Sequence, residues 1–214
     1  MSENTGAWKT SATRTASGDK IRGNIMELME LVRKTRSYRR FDESKSIEMA
    51  TLRDLVELTR FVATGSNMQP LKYRLSADPE TNAKVFATLA WAGYLTDWKG
   101  PESGERPTGY IIMLLDPEIR KEPGADHGIA AQTIMLGAVE RGFGGCMFGS
   151  IRKKELKATL AIPDPLEILL VLALGVPVER MVLEDVGADG SIKYYRDQDR
   201  AHHVPKRLLD DIIV

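Results

Sequence analysis

The 214-residue chain has a single cysteine, Cys146. One cysteine excludes an intramolecular disulfide and a zinc cage built on thiolates. It suits a reducing compartment, so a cytoplasmic setting is expected. Long apolar runs are missing as well: the longest, Ile168 to Leu174, is far too short to cross a bilayer as a helix, and no membrane partner is expected. The stretch from Met1 to Ser17 lacks an apolar core of the kind secretory signals carry. Charge of one sign is absent, with 30 Lys plus Arg against 30 Asp plus Glu, so no global field draws the chain to nucleic acid or an anionic surface. The three histidines, His127, His202 and His203, show no ligand spacing with carboxylates, and a catalytic metal is not expected. Neither a G-x-S-x-G elbow nor a GxGxxG loop occurs, and Cys146 has no base beside it in sequence.

What is present is ordinary globular composition, 43% hydrophobic and 28% charged, at a length that fits one domain. Residues 1–20, rich in Ser, Thr and small side chains, read as a flexible N-terminal arm, and 21–214 as a single domain. Helical spacing appears over Ile21 to Val32. It appears again after Ser46, a candidate cap, where Leu52, Leu55, Thr59 and Val62 share a face. Lys72 to Ala77 predicts a short strand, and Asp78-Pro79 a helix start running to about Trp91. Gly109 to Leu115 and Ile168 to Leu174 predict buried strands. A helix opens at Asp126 and ends near Arg141, with Gly142 just past it. Gly145 to Gly149 suits either a short strand or a ligand loop, Lys153 to Leu160 a brief helix, and Ser191 to Val214 a hairpin-like start with an apolar end. Helices alternate only loosely with strands, so the expected class is α+β.

Four constellations could carry chemistry. Arg36-Ser37-Tyr38-Arg39-Arg40-Phe41 gathers three guanidiniums and a hydroxyl, a donor set matched to phosphate. A solvated basic turn and a nucleic-acid contact through Arg36, Arg39 and Arg40 are the alternatives. Thr64-Gly65-Ser66-Asn67-Met68-Gln69-Pro70 offers amides able to pair with the edge of a heterocycle, or is an ordinary helix-to-strand connection. Gly142 to Gly149 has four glycines in eight residues, enough for backbone N–H groups to approach a flat ligand closely, or for a tight turn. His203-Val204-Pro205-Lys206-Arg207 supplies two adjacent cations, a pair more commonly solvated on a surface.

The order of these four motifs resembles the nitroreductase family of FMN enzymes, from about Ile25 to the C-terminus. Asp126 to Gln132 resembles that family's central helix, and Leu174-Gly175-Val176-Pro177 the segment after its buried strand. The resemblance implies a central mixed or antiparallel sheet flanked by helices, in an intertwined homodimer with FMN at the subunit interface. It implies that Arg36 and Ser37 hold the ribityl phosphate, with Tyr38 between them and Arg39, and that Arg39 sits near the N1/O2 side of the ring. Thr64, Asn67 and Gln69 would meet the pyrimidine or ribityl part. Cys146, Met147, Phe148 and Gly149 would form the segment whose backbone reaches flavin N5, and Lys206 and Arg207 would close on the phosphate. The sequence departs from the common pattern at Thr35, Ala63 and Leu71.

The activity so implied is a ping-pong transfer of electrons from NADH or NADPH through FMN to a small electron-poor acceptor such as a nitroaromatic, quinone or enone. No catalytic side chain is assigned. Trp91, Tyr94 and Trp98 are expected to roof the substrate side, with apolar core contact as the alternative for each. Other readings are a flavin dehydrogenase or dehalogenase of the same fold, a flavin sensor or carrier without turnover, and a nucleic-acid-binding domain.

Overall fold

The structure is a computed structural model that describes residues 26–214. The proposed N-terminal arm and the first residues of the Ile21 to Val32 helical pattern lie outside the described residues. The helix that follows them is α1, Leu28–Lys34. Then come α2 (Met49–Glu57), β1 (Leu71–Ser76), α3 (Pro79–Ala87), β2 (Gly109–Leu115), α4 (Asp126–Glu140), β3 (Gly144–Phe148), α5 (Lys153–Thr159), β4 (Glu167–Gly175), β5 (Met181–Asp185), β6 (Tyr195–Arg196) and β7 (His202–Lys206).

The first four strands make one antiparallel sheet in the order β1-β2-β4-β3. Its central strands explain the unbroken apolar runs. Successive side chains of a strand point to opposite faces. On β2, Tyr110, Ile112 and Leu114 enter a core with α3 and α5. Its Ile111 and Met113 enter a second core with α2 and α4. β4 divides in the same way, with Val171 and Ala173 on one face and Leu172 and Leu174 on the other. A strand covered on both faces has no solvated side on which to place polar residues. Each large aliphatic side chain buried there contributes roughly 1.5–3 kcal/mol.

Several predicted boundaries move. Ser46 does not cap α2: Glu48 takes the extended N-cap geometry, with no side-chain bond, and the helix begins at Met49. Thr59 falls in a 3-10 turn, Leu58–Phe61, where its hydroxyl bonds the Val56 carbonyl, and Val62 ends that turn. Helix α3 starts as expected, with the Asp78 carboxylate accepting the Thr81 N–H at 2.7 Å, but stops at Ala87. Thr88 turns its hydroxyl back to the Val85 carbonyl, and Ala90 bonds Ser150 instead of continuing the helix, so Trp91 lies beyond it. Helix α4 ends where expected, and Gly142 adopts a φ of +79°, the left-handed geometry that glycine suits. The glycine-rich stretch is strand β3. A Cβ on Gly145 would sit 2.4 Å from the Ala173 carbonyl, and one on Gly144 2.6 Å from the Tyr38 ring, so close strand packing requires both glycines. Among the described residues, no helix is long and apolar enough to cross a membrane.

Beyond β4 the chain builds a second, three-stranded sheet in the order β5-β7-β6, with β5 and β7 parallel. The hairpin-like start expected after Ser191 is the β6–β7 pair, whereas β5 was not expected. His203 fastens this sheet. Its Nδ1 lies 2.9 Å from Glu184 on β5, its Nε2 lies 3.1 Å from Asp197, and its ring stacks on Tyr195.

The bond to Glu184 first, and that to Asp197 second, raise the His203 pKa above its usual value of 6.5. A raised histidine pKa stabilises the fold fully below 6.5, and that contribution is lost as pH rises through the raised value. His203→Gln should therefore lower the thermal midpoint at pH 6, and the gap to wild type should narrow at pH 9. A gap unchanged across that range would contradict the assignment.

Candidate functional site

The C-terminal end of α1 sets the first wall of a cavity of about 330 Å3. Thr35 ends that helix, with its N–H and its hydroxyl both bonded to the Leu31 carbonyl. The chain then runs extended along the edge of the first sheet. Ser37 bridges Gly145, and the Tyr38 N–H donates to the Gly145 carbonyl at 2.9 Å. This places Arg36, Ser37 and Arg39 on the cavity wall beside Met147 of β3. Gln132 and Met135 of α4 form its floor, and Tyr194 closes one side. The facing wall is β7, where period-2 alternation turns His202, Val204 and Lys206 inward. Two of the four sequence motifs thus meet in space, joined by one residue of a third.

Adjacency in sequence misleads for Arg40. Its guanidinium points into the protein and makes a paired contact with Glu105 through Nε and Nη2. It anchors the loop before β2 and is withdrawn from the anion site and from any nucleic-acid surface. Arg36, Arg39 and Lys206, by contrast, make no ion pair among the described residues. Partial burial first, and the Arg36 charge second, lower the Lys206 pKa. Three cations facing one cavity with no ion pair among the described residues make a site for a ligand anion.

Behind this wall lies Glu179, whose side chain is wholly buried. Its Oε2 accepts the backbone N–H of Arg39 at 2.9 Å, and its Oε1 accepts Arg196 Nη2 at 2.6 Å. His202 Nδ1 lies 3.3 Å from the same Oε1. Burial alone would raise the Glu179 pKa, but contacts from His202, the Arg39 N–H and Arg196 outweigh it and hold the pKa at about 2. Arg196 also covers the Trp98 ring at 4.2 Å, and Arg39 covers Tyr194 at 4.9 Å.

The three proposed roof aromatics separate. Trp91 packs edge-on against Phe148 at 4.6 Å, beside the core. Trp98 sits between Trp91 and Arg196. Tyr94 is exposed and packs on Tyr194, the cavity-lining ring, at 4.9 Å. Of the β3 candidates only Met147 faces the cavity. Cys146 and Phe148 point into the core, and burial pushes the Cys146 thiol pKa up, as for an unreactive thiol. Gly149 lies exposed just past the strand. Tyr38 faces a different depression, beside Lys34 and Glu184, and Arg207 is exposed past the end of β7.

Thr64, Asn67 and Gln69 line another cavity, of about 460 Å3, between α2 and β1. Their loop holds an unusual backbone: Ser66, Asn67 and Gln69 all have φ between +51° and +54°. Such conformations cost of order 1–3 kcal/mol each and collect where a ligand or partner needs a fixed shape. Asp126 at the start of α4 pins the loop by accepting the Gly65 N–H at 2.9 Å, and the Thr64 hydroxyl is buried with no partner among the described residues. One chain therefore does not bring this loop to the arginine cavity.

Sequence reasoning missed Glu179, His202, Tyr194 and Gln132. Stepping back by twos from Lys206 reaches Val204 and His202, so strand alternation was a usable signal for one of them. Nothing local marks Glu179, which meets Arg39 from 140 positions away.

The family model described as the nitroreductase family matches residues 32–102 and 105–176. A search of curated proteins finds no match. Among solved structures, a nitroreductase family protein of Streptococcus pneumoniae TIGR4 superposes with a TM-score of 0.64 at 15% identity, over 88% of this chain and 99% of that one. One from Clostridium novyi NT gives 0.57 at 21% identity, over 71% and 86%. The NADPH:FMN oxidoreductase of Vibrio harveyi, complexed with NAD+, gives 0.57 at 19% identity, over 86% and 80%. The α+β architecture is thus the nitroreductase-like fold that the motifs implied.

Removing the buried charge tests the wall. Glu179→Ala should cost about 3–5 kcal/mol in urea unfolding, since it strands Arg196 and the Arg39 N–H. A carboxyl held low stabilises the fold above its ordinary pKa of 4.5 and loses that effect as pH falls toward about 2. The difference between wild type and variant should therefore shrink across that acid range.

Proposed function

The chain belongs to the nitroreductase family, and from that premise we propose that it is an FMN-dependent oxidoreductase passing electrons from NADH or NADPH to a small electron-poor acceptor. The observation that carries the reading is the cavity wall of Arg36, Ser37, Arg39 and Lys206, whose three cations make no ion pair among the described residues. That donor set fits a phosphate with a polar chain behind it. When bound, FMN would supply the two-electron redox chemistry between the nicotinamide and an acceptor such as a nitroaromatic, quinone or enone.

The protein's part is binding, orientation and electrostatics. Arg36 and Lys206 neutralise the phosphate, and the Ser37 hydroxyl adds a donor. Arg39 is held in place because its own backbone N–H is tied to Glu179. Its guanidinium would offer a fixed positive charge to the ring of the flavin, favouring the reduced, more negative form. Met147 gives an apolar surface to the ring, and Phe148, packed on Trp91, fixes the strand behind it.

A homodimer would bring the second loop into play. Thr64, Asn67 and Gln69 present a fixed polar shape that one chain leaves remote from its own arginine wall, and a second copy could supply it. Leu28, Met29 and Val32 of α1 and Ile129 of α4 are exposed apolar side chains suited to burial between copies. Of the three aromatics of the Trp91 to Trp98 segment, Tyr94, which packs on the cavity-lining Tyr194, is the one we assign to the acceptor side.

Purified protein mixed with FMN and desalted should keep about one flavin per chain, and NADH or NADPH should bleach its visible absorbance. A colourless protein would sink the reading, and bound flavin that no nicotinamide reduces would point to a carrier. Arg36→Ala and Lys206→Ala should each weaken FMN at least about tenfold, as expected for the loss of a charge-assisted phosphate contact, while leaving riboflavin affinity nearly unchanged.

A further inference from the structure

His202 is 1% exposed, lines the arginine cavity, and has neither ring nitrogen in an aligned hydrogen bond among the described residues. Buried imidazoles ordinarily satisfy both nitrogens, and one left open in a cavity wall is a feature to be explained. A purely structural role accounts for Nδ1, which faces the Glu179 carboxylate at 3.3 Å, and leaves Nε2 without a purpose. The carboxylate dictates the tautomer. A lone pair on Nδ1 would face a negative charge, so the tautomer that fits carries its proton on Nδ1 and leaves Nε2 as the acceptor.

The cavity also has two distinct ends. Arg36 and Lys206 are close enough for one charge to lower the other's pKa. Four residues back along β7, roughly 13 Å at the rise of a strand, stands His202. Its neighbours there are Tyr194, at 5.2 Å between ring centroids, and through Tyr194 the guanidinium of Arg39. A ligand anchored by phosphate at the first end extends its other end toward His202.

Resting on the flavin reading above, we propose that His202 is a ligand-contacting residue, held by Glu179, whose Nε2 accepts a hydrogen bond from an N–H or O–H of the flavin at the end remote from the phosphate. Glu179 is then a positioning residue for two groups at once, the Arg39 backbone and the His202 ring. The site selects for a ligand with a donor at that point, because a ligand without one would bury Nε2 unpaired.

The test is FMN and riboflavin binding by the flavin-stripped protein, read as quenching of flavin fluorescence. It is paired with imidazole 15N spectra of the wild type before and after FMN is added. His202→Phe should weaken both flavins by the same factor, roughly tenfold for one lost buried bond. His202→Gln, which can put an amide oxygen near the Nε2 position, should recover most of that loss. The Nε2 resonance should move on FMN addition while Nδ1 stays in place. Wild-type binding of FMN with a stationary Nε2 resonance, or with an undiminished His202→Phe affinity, would overturn the role of His202 and leave the flavin reading standing. Failure of the wild type to bind either flavin would overturn both. If His202→Phe does not fold, the wild-type 15N spectra decide alone.

Discussion

Glu179 carries its charge where no water reaches it, and three other segments converge on it: the turn after α1 through the Arg39 N–H, β6 through Arg196, and β7 through His202. A carboxylate in such a place persists because the Arg196 charge and the Arg39 N–H offset its desolvation. The arrangement joins the second sheet to the edge of the first and fixes which way the cavity's two walls face. Arg196 extends the join outward by lying on Trp98. The aromatic segment before β2, the C-terminal strands and the arginine turn thus share one electrostatic anchor, while the apolar cores lie elsewhere, on the two faces of β2 and β4.

What the sequence revealed and what it concealed follow from the range of the interactions. Strands β2 and β4 were legible because burial on two faces leaves no polar alternation, and the start of α3 because Asp78, Pro79 and Thr81 settle it locally. The basic turn was legible as a group of charges but not as geometry: in an extended segment Arg39 faces the cavity and Arg40 turns to Glu105. The glycines of β3 looked suited to a ligand and are spent instead on close packing against β4 and Tyr38. Strand β5 escaped notice because its half-exposed residues show no clear period, and Glu179 because its partners are all distant.

The strained loop at Thr64 to Gln69 shows a different economy. Three non-glycine residues with positive φ are held by a short 3-10 turn and by Asp126, the first residue of the longest helix. A rigid element fixes the loop, so its shape does not wait for a ligand. The polar groups lining both cavities are therefore placed by the scaffold beforehand, an arrangement that lowers the ordering cost of any ligand.

The 140 positions between Arg39 and Glu179 bear on the order in which the protein acquires its competence. Local helices and the first sheet can form while the arginine turn still has nothing opposite it, because contacts of such long range are made late. A chain trapped at that stage has a core but no cavity. A ligand that bound the finished cavity would, by mass action, stabilise only molecules whose last strands have docked.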